Sequence, residues 1–163
     1  MKTKKTARIL IALDYNPTAQ KVAEQGYALA QAMEAEVTLL HVTSEPINFN
    51  SVGHVTVMGF ADYPQTEQGN LQVDSVEAIN KASKEYLEKT KQHLGNKEIN
   101  TIVQDGDLGD TILAVAGKIK ADIIVLGSHS QKWLENIIMG SVAEKVLRLT
   151  TIPLFIVPTK KKD

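Results

Sequence analysis

The sequence predicts an α/β domain built on an open, five-stranded parallel sheet with helices on both faces, a Rossmann-like arrangement. Three observations carry that expectation. Five short apolar runs alternate with four amphipathic helical patterns. Most of the runs are near-continuous in Ile, Leu and Val, as in strands covered on both faces. The opening stretch reads strand, helix, strand, which requires a parallel pair joined by a right-handed crossover.

The first strand is Ile9–Leu13, broken by the turn from Asp14 to Pro17. From Thr18 to Met33 the residues Ala19, Val22, Ala23, Tyr27, Ala30 and Met33 recur at three- and four-residue steps, the stripe of an amphipathic helix. Thr18 is placed to cap it. Val37–Val42 is the second strand. Residues 43–73 then carry Pro46, Gly53, Gly59, Pro64 and Gly69 among polar residues. An insert this long in a small domain is expected to be a lid or a disordered excursion; within it, His54–Met58 has the pattern of a brief strand.

Asp74–Leu94 is a helix with Val76, Ile79, Ala82, Tyr86 and Leu87 on one face, stopped by Gly95 and Asn96. Ile99–Val103 is the third strand, followed by a turn through Asp105, Gly106 and Asp107. Asp110–Lys120 is a helix with apolar positions Ile112, Leu113, Val115, Ala116 and Ile119. Ile123–Leu126 is the fourth strand and ends at Gly127. A loop runs to about Met139, Ser141–Leu149 forms the last helix, and Pro153–Val157 forms the last strand. With no internal repeat and no linker, residues 1–163 read as one domain.

Composition narrows the function. The 163 residues carry a formal net charge of −1, so there is no basic footprint for nucleic acid. No segment approaches the roughly 18 apolar residues of a spanning helix. Lys2, Lys4, Lys5 and Arg8 ahead of Ile9–Leu13 resemble the start of a secretory signal. The apolar run is shorter than the roughly 7–15 residues such a signal needs, so a buried strand and a cytoplasmic protein are expected. There is no cysteine, which excludes disulfide and thiol chemistry.

In open α/β sheets, ligands bind at the carboxyl ends of the strands. The loops on that edge begin at Asp14, at residue 43, at Asp105 and at Gly127. The last carries the chemistry. Gly127 leaves the strand, Ser128 and Ser130 follow, and Gly140 and Ser141 open a helix. The first amides of a helix lack intrahelical partners and sit at the positive end of its dipole. A glycine beside them lets a phosphate approach the backbone closely. By spacing alone, Gly127 equally well ends a strand and Ser141 equally well caps a helix. Neither G-x-x-x-x-G-K-S/T nor a G-x-G-x-x-G after the first strand occurs.

The four histidines stand at no metal spacing. His41 reads as a satisfied interior residue, His93 as a helix-terminal cation and His129 as an exposed loop residue. Lys132 and Lys145 lie near the phosphate loop as surface lysines able to neutralise charge. Trp133 reads as packing over the loop or meeting a partner.

Taken together, several segments resemble the universal stress protein (UspA) family. They are Ile9–Asp14, Thr38–Val42, Asp105–Asp107, Ala121–Leu126, the stretch from Val125 through Val146, and Ile152–Pro158. The resemblance covers nearly the whole chain outside 43–73. It implies strand order 3-2-1-4-5 and, in the ATP-binding branch, the pattern G-x-x-G-(nine residues)-G-S/T. Gly127, Gly140 and Ser141 match it, whereas Ser130 stands where that branch has glycine. The resemblance further implies ATP as ligand, with magnesium able to accompany it. Asp14 would bond the ribose hydroxyls and the Val42 backbone would meet the adenine. Gly127, Gly140, Ser141 and the Val142 amide would hold ribose and phosphates, with Ser128 and Ser130 adding hydroxyls.

The expected function is a non-catalytic, adenine-nucleotide-binding sensor in a stress response. Two rivals are a slow ATPase that phosphorylates itself on Ser128, Ser130 or Ser141, and a nucleotide-free dimerisation module. The last strand, Leu154, Phe155, Ile156 and Val157, is apolar yet expected at a sheet edge. Such edges invite pairing, so a homodimer joined through it is expected, as in the family.

Overall fold

The computed structural model describes residues 4–43, 76–128 and 139–159. The elements run β1 (Arg8–Ala12), α1 (Ala19–Met33), β2 (Glu36–Thr43), α2 (Val76–Leu94), β3 (Asn100–Asp105), α3 (Leu108–Ile119), β4 (Ile123–Gly127), α4 (Ser141–Leu149) and β5 (Leu154–Val157). All strand pairs are parallel, in the order β3-β2-β1-β4-β5. The α/β class and the strand order are as expected. His54–Met58 and the insert beyond Thr43 lie outside the described residues.

Successive side chains of a strand face opposite sides, and the two cores follow from that. Ile9 and Ile11 of β1, Val37 and Leu39 of β2, Val125 of β4 and Val157 of β5 pack against α1 and α2. Leu10, Leu40, Val42, Ile124 and Leu126 pack against α3 and α4 on the opposite face. Gly26 lets α1 lie close on the sheet: a Cβ there would stand 2.8 Å from Ile11 Cδ1 and 3.0 Å from Val125 Cγ1.

Three local expectations are corrected. Thr18 does not cap α1 with its hydroxyl, because its backbone is already helical. Asn16 takes the turn instead, its Oδ1 accepting from the Thr18 amide at 3.1 Å and hydroxyl at 2.9 Å. The third helix starts at Leu108 rather than Asp110, because Asp107 Oδ1 accepts from the Asp110 amide at 3.0 Å and caps it. On α2, Val76 is 66% exposed, while Ser83 and Thr90 are buried beside Tyr86 and Leu87. Their polarity is satisfied: Ser83 meets Tyr15 Oη at 2.6 Å, and Thr90 Oγ1 donates to the Tyr86 carbonyl at 2.9 Å.

No helix among the described residues is long and apolar enough to cross a membrane. Among the described residues β5 pairs with β4 alone and forms one edge of the sheet. The crossovers through α1 and α2 lead outward from β1 to β3. The chain then returns to β4, so the connections after β1 and β4 diverge at neighbouring strands and leave a crevice between them.

Candidate functional site

The crevice holds a cavity of about 460 Å³, within the roughly 300–1,000 Å³ range of small-molecule sites. Its apolar wall includes Val22, Leu40, Val42, Ile112 and Leu126; Asp14, Thr18, Ser141 and Glu144 add polar groups. The parallel register aligns Ile11 of β1 with Leu39 of β2 and Val125 of β4, which brings Asp14, Val42 and Gly127 to one edge.

The helix terminus is the main polar feature. Ser141, Val142 and Ala143 are the first three residues of α4, and all three line the cavity. The first intrahelical bond runs from the Glu144 amide to the Gly140 carbonyl at 2.9 Å. Helix geometry leaves the three preceding amides without intrahelical acceptors, and the dipole adds positive potential there. Gly140, the N-cap, has φ −70° and ψ 160°. Any residue adopts that conformation, so backbone geometry does not demand glycine.

Asp14 is exposed at the rim, its Oδ1 accepting from the Asn16 amide at 2.9 Å. Its backbone is held from below. Tyr86 Oη donates to the Asp14 carbonyl at 2.7 Å, and His41 Nδ1 donates to the Leu13 carbonyl at 2.8 Å. Burial drives the His41 pKa below its ordinary value, so the ring is neutral with its proton on Nδ1. Burial, and then the neighbouring Asp14 charge, push the Tyr86 phenol far upward and keep it a donor.

Ser128 lies beside the cavity and does not line it. Its amide donates to the Val157 carbonyl at 2.9 Å, its carbonyl accepts from the Gly140 amide at 3.0 Å, and its hydroxyl accepts from the Thr159 amide at 3.0 Å. Ser130, His129, Lys132 and Trp133 lie outside the described residues. Lys145 is turned to α3, with Nζ 2.8 Å from Asp107 Oδ1 and 3.1 Å from Asp110 Oδ2. His93 pairs with Glu24 at 2.7 Å across two helices. Among the described residues no group of three or more His, Asp or Glu stands close enough to hold a metal ion.

The structure thus brings Asp14, Val42, Gly127, Ser141 and Val142 to one cavity, with Gly140 directly behind. Sequence reasoning missed Glu144 in its wall and the Tyr86–Asp14 bond beneath its rim. Glu144 carried a signal, one helical turn beyond Gly140. Tyr86 carried none beyond its place on an apolar helix face.

Comparison with known proteins gives a consistent set of relatives. The model of the universal stress protein family matches residues 5–158. Universal stress protein MJ0531 of Methanocaldococcus jannaschii is 30% identical over 159 residues, covering 96% of this chain and 84% of that protein. Universal stress protein UspA from Lactobacillus plantarum superposes with a TM-score of 0.68 at 19% identity, over 95% of this chain and 99% of that one. A universal stress protein crystallised in complex with cAMP superposes with a TM-score of 0.62 at 16% identity, over 96% and 100%.

Proposed function

The chain belongs to the universal stress protein family, and on that premise we propose that it binds an adenine nucleotide, ATP, between β1 and β4. In this reading the protein is a non-catalytic sensor in a stress response. One observation carries the reading: Asp14 and the first turn of α4 line the same cavity at the point where strand order reverses. A carboxylate suits vicinal ribose hydroxyls, and unpaired helix amides suit phosphate. The apolar wall formed by Leu40, Val42, Ile112 and Leu126 suits a purine base. The cAMP-bound relative supports the same ligand class.

Asp14 accepts from the ribose, and the Val42 backbone meets the adenine. Gly127, Gly140, Ser141 and the Val142 amide hold ribose and phosphate. Magnesium would enter on the phosphate oxygens, which it usually prefers to an all-protein cage. Ser130 replaces a glycine of the family pattern. If the loop needs positive φ at that position, a non-glycine residue costs about 1–2 kcal/mol, and a hydroxyl bond to phosphate returns about 0.5–1.5 kcal/mol. The two terms are comparable, so the substitution need not abolish binding.

A binding role is proposed over hydrolysis because, of the two carboxylates in the described cavity wall, this reading gives Asp14 to the ribose, and Glu144 lies in an ion pair on its own helix. Asp14 accepts from the Asn16 amide, and Glu144 Oε1 pairs with Arg148 at 2.7 Å. Assembly as a homodimer is proposed through β5, where the apolar Phe155 is 36% exposed on the sheet edge.

Freshly purified protein denatured in acid would release its ligand for identification by mass spectrometry. Recovery of an adenine nucleotide supports the reading; stoichiometric recovery of another class of small molecule overturns it.

A further inference from the structure

Three consecutive residues after β1 are each held by a side chain from elsewhere. The Leu13 carbonyl accepts from His41 of β2, the Asp14 carbonyl accepts from Tyr86 of α2, and the Tyr15 hydroxyl meets Ser83 of α2. The rings pack as one group. Tyr15 and His41 have centroids 4.2 Å apart, and His41 and Tyr86 meet edge-on at 5.7 Å and 88°. His41, Ser83 and Tyr86 are buried within the layer that otherwise joins α1, α2 and the sheet through apolar contacts.

Packing alone does not call for these polar groups. A buried hydroxyl or imidazole is costly unless bonded, and Phe and Leu fill similar space without that cost. What the polar groups add is direction. Asp14 is exposed, and among the described residues the hydrogen bond at its side chain comes from the Asn16 amide in its own turn. An exposed carboxylate presents a constant geometry only if its peptide is fixed, and turning the Asp14 peptide would break the Tyr86 bond.

We infer that Tyr86 and His41 are positioning residues for Asp14, and that they give the crevice its preference for ribose over a sugar lacking the 2′ and 3′ hydroxyls. This rests on the proposed ribose contact of Asp14. Tyr86 holds the Asp14 peptide directly, and His41 holds the one before it. α2 is thereby a strut for the sugar site, although none of its residues lines the cavity.

The test measures affinity for ATP and for 2′,3′-dideoxy-ATP by calorimetry, with melting temperature alongside. The proteins are wild type, Tyr86→Phe and Ser83→Ala. Wild type is expected to prefer ATP by about tenfold. Tyr86→Phe keeps the ring and removes the hydroxyl; its preference should fall to about threefold or less, with dideoxy affinity within about twofold of wild type. Ser83→Ala frees Tyr15 without touching the Asp14 carbonyl, so it should lower melting temperature and keep the preference. A Tyr86→Phe protein that melts lower yet keeps the full preference overturns the positioning role and leaves nucleotide binding standing. Equal loss of preference in Ser83→Ala overturns it too. Wild type that binds both nucleotides equally overturns the ribose contact and this inference together, and wild type that binds neither overturns the nucleotide reading as well.

Discussion

The Gly140 amide donates to the Ser128 carbonyl at 3.0 Å, so the chain between them leaves β4 and returns to it at one point. That bond sets the N-terminus of α4 over the carboxyl end of β4, where its amides face the cavity. Ser128 also binds β5 and the Thr159 amide, joining the candidate phosphate site to the edge strand.

Replacing Ser128 by Ala removes the acceptor of the Thr159 amide, in a residue that is buried. An unsatisfied buried donor costs about 1–3 kcal/mol. Urea unfolding should therefore show a loss of that size, while ATP affinity stays within about threefold of wild type. Affinity lost with stability unchanged would mean that the hydroxyl serves the ligand directly.

Asp14→Ala removes the carboxylate proposed to meet the ribose. Hydrogen bonds to charged groups contribute about 1.5–3 kcal/mol, so ATP affinity should fall by at least about tenfold. Little change in melting temperature is expected, because Tyr86 bonds the main chain at this position. Equilibrium dialysis with labelled ATP reads the outcome, and unchanged affinity removes Asp14 from the site.

Stability should depend on pH through His41. Its folded-state pKa lies below the ordinary value of 6.5 because burial disfavours the charged ring. The unfolded chain therefore takes up this proton more readily than the folded one. The contribution is fully present above pH 6.5 and is lost as pH falls from there through the folded-state value. His41→Gln should show a shallower decline in urea midpoint than wild type on acidification. Parallel declines would place the pH sensitivity elsewhere.

A charge at the exposed edge should block assembly. Phe155→Asp places a carboxylate on the edge strand, and inward charge at an edge opposes strand pairing. Light scattering should give wild type at twice the 17.9 kDa chain mass and the variant at a single chain mass. A variant that stays dimeric would move the interface off β5.

The strands were legible because they run through both cores, so their apolar pattern has little freedom: Ile9, Leu10 and Ile11 are fully buried. The phosphate loop was legible at its two ends, since Gly127 closes a strand and Ser141 opens a helix. Features set by distant contacts were not legible. The Asp107 cap and the Asn16 turn compete with equally suitable neighbours, and the neighbours looked as good in sequence. Ser128 reads as a free hydroxyl until β5 returns beside it. Tyr86 reads as core until its hydroxyl reaches a carbonyl 72 positions away.

Calorimetric titration of ATP into nucleotide-free protein tests the proposed function most directly. A one-site isotherm with one ATP per chain and a dissociation constant between about 1 µM and 1 mM is expected. No heat of binding at millimolar ATP would contradict it.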